Sequence, residues 1–465
     1  MRRTKIIATL GPATDPDGVL EGLIAAGVDV VRLNAAHAEP QELAQRLGAI
    51  RSAAARAGRE IGVLLDLPGP KIRVGDVAEG TVLEPGAEFS LVAESCVGGC
   101  QSASISHYAL SDDVSAGDRI LLDDGRLELI VVKVNPGEVV SRVVIGGALT
   151  SHKGVNIPGV TLSIDAITQY DREVLAWAMG AEIDWVGQSF VRSARDIQEL
   201  RSCMTERQIP IIAKIEKHEA AASIAEIVSA ADAVMVARGD LAVETAPERV
   251  PVLQRQIVAA ARAAGKPVVI ATEMLDSMRE RPRPTRAEAS DVASAIFIRA
   301  DAVMLSGETA VGLYPIESVA TMARIAVAAE AAAPPPRPPH GSSDTDDVQT
   351  AVSAAVSELA ADLHLAAIVT LTQSGATALA VSRYRPVTPI IAATPRVEVA
   401  RRLQMAWGVR SITLPFAEHT DARLDQVTTA VREAGLASPG ECIAMTAGLW
   451  SRVPGGTDFL HVRAV

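Results

Sequence analysis

The chain has 465 residues, of which 48% are apolar and only 3% aromatic, and its formal net charge is −12. This length is too great for one hydrophobic core and predicts about three domains. The negative charge argues against a nucleic-acid partner, but anionic small molecules are still allowed where arginines and lysines cluster.

The first part of the chain alternates strands with helices, which is typical of a parallel α/β fold. Gly27 and Gly58 each follow a helical pattern and predict its end. Strands are predicted over Lys5–Leu10, Val28–Leu33 and Ile61–Asp66, and helices over Asp17–Ala26 and Gln41–Ala57.

From Lys71 to about Val155 the helical pattern disappears, and we predict a small all-β domain inserted after the third strand. The dipeptides Pro85-Gly86, Asp124-Gly125 and Pro136-Gly137 predict turns between its strands. The predicted strands are Thr81–Leu83, Glu88–Val92, Arg119–Leu122, Leu127–Val132 and Val139–Ile145.

The alternation then resumes and brings the count to eight strands, each followed by a helix. Eight such units predict a (β/α)8 TIM barrel, although a doubly wound sheet is an alternative. The further strands are predicted over Asp184–Phe190, Ile209–Glu216, Ala233–Asp240, Pro267–Met274 and Asp301–Glu308, and the helices over Thr168–Met179, Ala194–Arg207, Glu219–Ala230, Val250–Ala264, Arg286–Arg299 and Pro315–Ala332.

A segment rich in proline and then in polar residues, 334–347, reads as a linker to a third domain. We therefore predict a barrel over 1–70 and 155–333, an insertion over 71–154 and a C-terminal α/β domain over 348–465. The last domain should contain a helix over Val348–Leu363 and strands over Ala367–Leu371, Pro389–Ala393, Ser411–Leu414, Glu441–Thr446 and Leu460–Val465.

The chain carries no export or membrane signal that we recognise. Its amino terminus lacks the apolar segment of a signal peptide, and no run of about 18 apolar residues predicts a transmembrane helix. The cysteines Cys96, Cys100, Cys203 and Cys442 form no metal-binding pattern, and we expect free thiols in a reducing cytoplasm.

Charged and hydroxyl side chains gather at the predicted carboxyl ends of six barrel strands, where barrel enzymes carry their chemistry. Lys214 and Glu216 are two residues apart and so share one face of a strand. Glu216 and Asp240 offer the oxygen ligands that Mg2+ takes beside a substrate phosphate. The set predicts a divalent metal and a phosphorylated substrate bearing a carboxylate, with a structural ion pair as the alternative for any one member. It comprises Arg32, Asn34, Asp66, Lys214, Glu216, Arg238, Asp240, Thr272, Glu273, Ser306 and Glu308.

Two glycine-containing loops follow strands and could present backbone amides to an anion. The first is Ala237-Arg-Gly-Asp240, for which an ordinary turn is an equal alternative. The second, Leu371-Thr-Gln-Ser-Gly-Ala-Thr377, offers Thr372, Ser374 and Thr377 to a phosphate.

The chain resembles the pyruvate kinase family, with a match that runs from Lys5 to about residue 330 and continues weakly beyond. The resemblance implies a TIM barrel with a small β-barrel lid, a C-terminal effector domain and usually a homotetramer. It also implies phosphoryl transfer from phosphoenolpyruvate to ADP, which gives pyruvate and ATP. The segments that carry it are Thr4–Ala13, Gly69–Arg73, Lys153–Pro158, Lys214–Glu216, Val236–Asp240, Arg281–Glu288 and Met304–Ala310.

The resemblance also implies a role for each matching residue. Glu216 and Asp240 would hold Mg2+ or Mn2+, Lys214 would stabilise the moving phosphoryl group, and the amides from Arg238 through Gly239 to Asp240 would bind the substrate carboxylate. Arg32 and Arg73 would bind phosphate, and Thr272, Ser306 and Glu308 would lie near the enolate carbon and its proton path. The nucleotide would contact Pro12, Asn34, His37, Arg73 and Lys153. An effector phosphate would bind Thr372, Ser374 and Thr377.

Two departures from the family pattern concern potassium. The segment Asn34-Ala-Ala-His-Ala38 lacks the hydroxyl at Ala36 that usually binds the ion beside Asn34 and Asp66. Lys71 stands where many members have glutamate, and its ammonium could replace potassium, as it could instead face solvent at the lid hinge. We predict activity without potassium.

Two other functions are weighed against this one. A catalytically weak relative that senses a metabolite would account for the altered Asn34–Ala38 segment. A barrel aldolase or lyase would use Lys214 as a Schiff base, which requires a lowered lysine pKa.

Overall fold

The computed structural model describes residues 2–333, 348–448 and 456–465. The predicted linker, 334–347, therefore lies outside the described residues. Three bodies are built from these ranges: a closed barrel, an inserted domain of strands and a C-terminal α/β domain.

The barrel closes as predicted, with eight parallel strands in the order β1-β16-β15-β14-β13-β12-β3-β2. These strands are short apolar segments that are buried almost throughout, which is what a parallel sheet covered by helices requires. They are β1 Lys5–Thr9, β2 Val30–Asn34, β3 Gly62–Leu67, β12 Trp185–Gln188, β13 Ile211–Ile215, β14 Ala233–Ala237, β15 Val268–Ala271 and β16 Ala302–Leu305.

Helices surround this barrel and cover the outer faces of its strands. Their apolar faces join the strands in one large core that includes Leu43, Ile197, Ile257 and Val319. The helices are α1 Val19–Ala26, α2 Pro40–Ala57, α4 Gln169–Gly180, α5 Ala194–Cys203, α6 His218–Ala222, α7 Ile224–Ala230, α8 Arg238–Glu244, α9 Val250–Ala263, α10 Arg286–Phe297, α11 Gly307–Ala310 and α12 Pro315–Ala332.

Six of the eight barrel strands end earlier than the sequence pattern suggested, while β2 and β3 end one residue later. The strand predicted over Ala233–Asp240 stops at Ala237, and Asp240 lies in α8 instead. The helix predicted over Glu219–Ala230 is broken into α6 and α7 at Ser223. Lys214 and Asp66 therefore lie in strands, whereas rim residues such as Asp240 lie in the loops and short helices that follow the strands, which is typical of barrel enzymes.

The inserted domain, called the lid here, forms a six-stranded sheet in the order β11-β7-β8-β9-β5-β6 and a two-stranded sheet of β4 and β10. The glycines of the three predicted turns, at 86, 125 and 137, have positive φ, as such turns require. One short helix, α3, was not predicted. Its last residue, Asp113, pairs with His107 at 2.6 Å. The elements are β4 Val82–Leu83, β5 Glu88–Val92, β6 Ser102–Ser104, α3 Leu110–Asp113, β7 Arg119–Leu122, β8 Leu127–Asn135, β9 Glu138–Ile145, β10 Gly147–Ala148 and β11 Val155–Asn156.

The C-terminal domain holds a five-stranded sheet in the order β19-β18-β17-β20-β21, parallel except for its last strand. A cavity of about 800 Å3 lies between this domain and the floor of the barrel, lined by residues such as Lys5 and Arg410. None of the described helices is long and apolar enough to cross a membrane. The elements are α13 Val348–Asp362, β17 Ala367–Leu371, α14 Ala376–Ser382, β18 Ile390–Thr394, α15 Val397–Arg402, β19 Val409–Thr413, α16 Thr420–Glu433, β20 Cys442–Ala447 and β21 Phe459–Ala464.

Candidate active site

Lys214, in β13, lies at the centre of the charged rim. Its Nζ is 3.0 Å from Glu216 Oε1 and 3.3 Å from Asp66 Oδ1, and it donates a hydrogen bond of 2.7 Å to Ser189 Oγ. The spacing of two along the strand does place Lys214 and Glu216 on one face. Because the site is buried, these contacts are shielded from water and electrostatically strong.

The charge on Lys214 is fixed by its neighbours. Burial alone would lower the pKa of Lys214, but Asp66 and Glu216 outweigh burial and hold that pKa above its usual value. Burial likewise opposes ionisation of Asp66, yet Lys214 and Arg32 bring the pKa of Asp66 below its usual value. Lys214 is therefore an ammonium ion, and the geometry disfavours the Schiff-base alternative, which needs a neutral amine.

Arg32 lies within β2, beside this cluster. Its Nε lies 2.6 Å from Asp66 Oδ2, and its Nη1 donates to Thr9 Oγ1 over 3.2 Å. Asp66 thus orients two cations, Arg32 and Lys214, toward the same side of the rim. A pair of fixed cations in a site with little water suits a substrate of high negative charge.

Glu216 and Asp240 are the candidate metal ligands. Glu216 Oε2 accepts a 2.7 Å hydrogen bond from the amide of Phe190. Burial raises the pKa of Glu216, and the nearby charge of Asp240 raises it further. A divalent cation between the two carboxylates would relieve this repulsion, so the residues suit the metal. The described residues contain no cluster of three or more metal-binding side chains, and substrate and water oxygens would complete the Mg2+ shell.

Lys71 lies where the chain enters the lid, and its side chain contacts the rim of the barrel. Its Nζ lies 3.3 Å from Asp240 Oδ1. Each candidate metal carboxylate is thus paired with one lysine, Glu216 with Lys214 and Asp240 with Lys71.

The loop after β15 is backbone-strained and is held by Arg238. Thr272 has φ of +67° and Glu273 has φ of +52°, which side chains adopt at a cost of about 1–3 kcal/mol each. The Arg238 guanidinium donates to the carbonyl oxygen of Thr272 over 2.6 Å and pairs with Asp291 at 2.6 Å. Its side chain is therefore structural, and only its backbone is available to a ligand.

The amide of Gly239 is occupied by a side chain of the same site. It donates to Thr272 Oγ1 over 2.8 Å. The hydroxyl of Thr272 thus sits where the resemblance places an oxygen of the substrate carboxylate.

Ser306 and Glu308 follow β16 and complete the rim. The buried Glu308 carboxylate accepts from the amides of Leu275 at 3.0 Å and Ser306 at 2.8 Å, and burial raises its pKa. Ser306 Oγ is buried and has no hydrogen-bond partner within the described parts of the chain. An unpaired hydroxyl here is available to a ligand or a water.

The lid contributes two cations that stand away from this cluster. Arg73 Nη1 donates to the carbonyl oxygen of His152 over 2.9 Å, and Lys153 Nζ pairs with Asp123 Oδ1 at 2.8 Å. Neither contacts the barrel in these interactions.

The predicted nucleotide residues of the barrel lie on two short turns. Pro12 begins the turn after β1, and Asn34 Oδ1 caps the turn after β2 by accepting from the amide of Ala36 at 3.2 Å. The side chain of His37 lies outside the described residues.

In the predicted effector loop, all three hydroxyls have hydrogen-bond partners, and that of Ser374 accepts from the amide of Ala376 at 3.4 Å. Thr372 Oγ1 accepts from the amide of Gly375 at 2.9 Å, and Thr377 Oγ1 lies 2.8 Å from Thr457 Oγ1. Ser374 is exposed.

Sequence reasoning missed Ser189, which accepts from Lys214, and the buried pair Lys217–Glu244, 2.8 Å apart. Ser189 directly follows β12, so its position at a strand end was a usable signal. The Lys217–Glu244 pair joins segments 27 residues apart and left no local pattern.

The rim supplies fixed positive charge and two candidate metal carboxylates instead of an activated nucleophile, which suits phosphoryl transfer. The fold and site define a phosphotransferase. Residues 1–319 match the barrel domain of pyruvate kinase, and residues 350–463 match its alpha/beta domain. The chain belongs to the pyruvate kinase family.

Individual relatives agree over the whole chain. The chain is 44% identical to pyruvate kinase 2 of Synechocystis sp. over 471 residues, covering 100% of this chain and 79% of the relative. It is 43% identical to pyruvate kinase of Geobacillus stearothermophilus over 477 residues, covering 100% and 80%. A crystal structure of a pyruvate kinase from Cryptosporidium parvum is similar with a TM-score of 0.90 at 32% identity, covering 100% of this chain and 96% of that one.

Proposed function

We propose that this rim transfers the phosphoryl group of phosphoenolpyruvate to ADP, which gives pyruvate and ATP. The observation that carries the proposal is the buried Lys214 ammonium, held between Asp66 and Glu216. Phosphoryl transfer depends on positioning and charge compensation, and a cation fixed before the reaction needs no reorganisation during it.

Lys214 and Arg32 would share the charge of the phosphoryl group. As the bond between phosphorus and the enol oxygen breaks, the group moves to a terminal oxygen of ADP, and its equatorial oxygens stay negatively charged. Asp66 keeps both cations oriented, through its contacts of 3.3 Å to Lys214 and 2.6 Å to Arg32.

The substrate carboxylate would bind the amides from Arg238 to Asp240. Its oxygen would replace Thr272 Oγ1 on the amide of Gly239, because both are acceptors for the same donor. Thr272 would then turn its hydroxyl toward the substrate.

The enolate left after transfer needs a proton on carbon. Thr272, Ser306 and Glu308 are our candidates for this path. The unpaired hydroxyl of Ser306 and the buried Glu308 carboxyl, whose pKa is raised by burial, suit a proton relay through water.

The nucleotide would lie between barrel and lid, against Pro12, Asn34, His37, Arg73 and Lys153. Arg73 and Lys153 are carried by the lid, so its closure would bring their charge to the phosphates. Closure would also exclude water, which competes with ADP for the phosphoryl group.

Glu216 and Asp240 would hold Mg2+ or Mn2+. When bound, the ion would supply positive charge that neutralises the negative charge of the transition state. Phe190, through its amide, would keep the Glu216 carboxylate in place.

Potassium would not be required, because Lys71 brings its own charge to this rim. Its contact with Asp240 and a side-chain exposure of only 29% support a role inside the site over one in open solvent. The missing hydroxyl at Ala36, beside Asn34 and Asp66, agrees with the loss of an ion.

Three further properties follow from the same family. The protein would be a cytoplasmic homotetramer, and a phosphorylated effector would bind the loop of Thr372, Ser374 and Thr377. Binding of an effector to a Ser374→Ala variant tests the loop, because Ser374 has the exposed hydroxyl; an unchanged effector response would contradict it. Sedimentation tests the tetramer.

A coupled assay for pyruvate formation tests the reaction. We expect turnover with phosphoenolpyruvate, ADP and Mg2+, and an equal rate when potassium is replaced by tetramethylammonium. Absence of turnover, together with tight binding of the substrates, would favour the metabolite-sensor alternative. A rate that collapses without potassium would leave the reaction standing and refute the role of Lys71.

A further inference from the structure

The lid joins the barrel through two chain segments that pair with each other. The amide of Val74 donates to the carbonyl oxygen of Lys153, and the amide of Val155 donates to that of Ile72, each over 2.9 Å. We call these two segments, residues 71–74 and 153–156, the lid stems. Because they are bonded to each other, they move as one unit.

Both stems contact the same short helix of the barrel, α8. Lys71 of the first stem pairs with Asp240 at 3.3 Å, and Asn156 Nδ2 of the second donates to Glu244 Oε1 over 2.7 Å. Asp240 and Glu244 are four residues apart and therefore lie on the same face of the helix. The lid is thus anchored on two carboxylates of α8, one of which is a candidate metal ligand.

The second anchor is also tied to the other metal ligand. Lys217 Nζ lies 2.8 Å from the same Glu244 Oε1, and Lys217 directly follows Glu216 in the chain. The Glu244 side chain is 0% exposed, and its Oε2 has no hydrogen-bond partner within the described parts of the chain. Glu244 therefore joins the lid, α8 and the end of β13 at one buried point.

The two anchors differ in strength. The Lys71–Asp240 pair is 29% and 24% exposed, and pairs open to water contribute little and exchange readily. The contacts of Glu244 are buried, and removing one partner of a buried charge is costly. If the lid moves, the contact of Lys71 would therefore open more easily than the contacts of Glu244, which would act as the pivot.

We propose that Asn156 and Lys217 are positioning residues that act through Glu244 to hold Asp240 opposite Glu216. The pivot would make the spacing of the two metal carboxylates depend on the attachment of the lid. This inference rests on the proposed assignment of the divalent cation to Glu216 and Asp240. It predicts that a substitution in a lid stem, outside the metal site, weakens the binding of the metal.

The test uses an Asn156→Leu variant of the full chain, which removes the amide donor, keeps the branched shape of the side chain and leaves Lys217 on Glu244. We expect hydrogen exchange of the stem amides in the metal-free protein to rise about tenfold, which corresponds to loss of one hydrogen bond to a charged group. We also expect the Kd for Mn2+, measured by electron paramagnetic resonance without substrate, to rise about fivefold to tenfold.

An Asn135→Leu variant is the matched control. Asn135 Nδ2 also donates to a glutamate, Glu138 Oε2, over 2.8 Å, but at a hairpin of the lid away from the stems. It should leave both stem exchange and the Mn2+ affinity unchanged.

A second variant does not depend on how well Asn156→Leu folds. Lys217→Met combined with Glu244→Gln removes the charged pair and keeps an acceptor for Asn156. We expect weaker Mn2+ binding with stem exchange close to that of the unmodified protein.

Each result bears on a different part of the inference. In Asn156→Leu, faster stem exchange with unchanged Mn2+ affinity would refute the coupling to the metal, and unchanged exchange would refute the pivot; in the double variant, unchanged Mn2+ affinity would refute the role of Lys217. If Glu216→Ala leaves Mn2+ binding intact, the proposed metal site is wrong, and the exchange data still decide whether Asn156 anchors the lid.

Discussion

Asp66 and Lys214 come from two strands that are not neighbours in the barrel, β3 and β13, and meet with Oδ1 and Nζ 3.3 Å apart. The same carboxylate holds Arg32 through its other oxygen at 2.6 Å. Asp66 thus sets the positions of both cations that are proposed to meet the phosphoryl group. Lys214 also contacts Glu216 at 3.0 Å, so one cation is shared between Asp66 and a carboxylate proposed for the metal.

Replacing Lys214 with methionine should separate these two functions. We expect kcat to fall by about 100- to 1000-fold, the usual effect of removing one preorganised charge at a transition state. Mn2+ binding should persist, because Glu216 and Asp240 remain. A coupled assay measures turnover, and electron paramagnetic resonance measures Mn2+ binding. Lys266→Met, at the opposite end of the barrel strands, is the control; near-normal turnover of the Lys214 variant would contradict the assignment.

Replacing Glu216 with alanine should damage the metal site itself. We expect the Kd for Mn2+ to rise by about 100-fold, because one of two protein carboxylates is lost from a cation that depends on charged oxygen ligands. Calorimetric titration of the metal-free protein measures this. Glu226→Ala removes an exposed carboxylate of α7 and should bind as before. Equal affinities for the two variants would place the metal elsewhere.

Replacing Lys71 with glutamine should create a need for potassium. Without the ammonium, the charge beside Asp240 is missing, and we expect turnover in tetramethylammonium to drop about tenfold or more. Potassium should restore part of it, since Asn34 and Asp66 remain while the hydroxyl at Ala36 is absent. Rates in the two salts measure the effect, with Lys133→Gln on the exposed face of the lid as control. A variant indifferent to both salts would show that Lys71 does not replace an ion.

The barrel could be predicted from sequence because each strand is a short apolar segment followed by a helical pattern. The pair Lys214–Glu216 could be predicted as well, because its spacing is a local property of a strand. The contact of Lys71 with Asp240 could not, since 169 residues separate them. Nor could the positive φ of Thr272, which is unfavourable for a β-branched residue and is held by contacts with Arg238 at the start of α8.

The boundary of β14 shows why the strand ends were misplaced. The apolar pattern of Ala233–Ala237 runs into Arg238-Gly-Asp240 without a break, yet the helix α8 begins there. The helix is favoured by tertiary contacts, namely those of Arg238 with the neighbouring loop and of Glu244 with the lid. The intrinsic helix and strand propensities of the segment contain no information about such contacts.

The last prediction concerns pH and the floor of the barrel. Lys5 begins β1, and its Nζ donates to the carbonyl oxygen of Val409 over 2.6 Å. Burial lowers the pKa of Lys5 from 10.5 to about 8. Below pH 8 the folded and unfolded chains are both protonated, and the fold carries the cost of a buried charge. Between about pH 8 and 10.5 the unfolded chain binds more protons at Lys5 than the folded chain does. The contribution of Lys5 to the free energy of unfolding therefore rises with pH.

A Lys5→Met variant should therefore be more stable than the parent protein at pH 7, and this advantage should shrink as the pH approaches 10. The pKa shift corresponds to about 3 kcal/mol, which the lost hydrogen bond to Val409 offsets by about 1 kcal/mol. Unfolding midpoints in urea at pH 7 and pH 10 measure the difference. Lys266→Met, which removes a lysine bonded to the carbonyl oxygen of Ala231, is the control for loss of such a bond. If Lys5→Met lowers the midpoint equally at both pH values, the hydrogen bond outweighs the buried charge and the assignment is wrong.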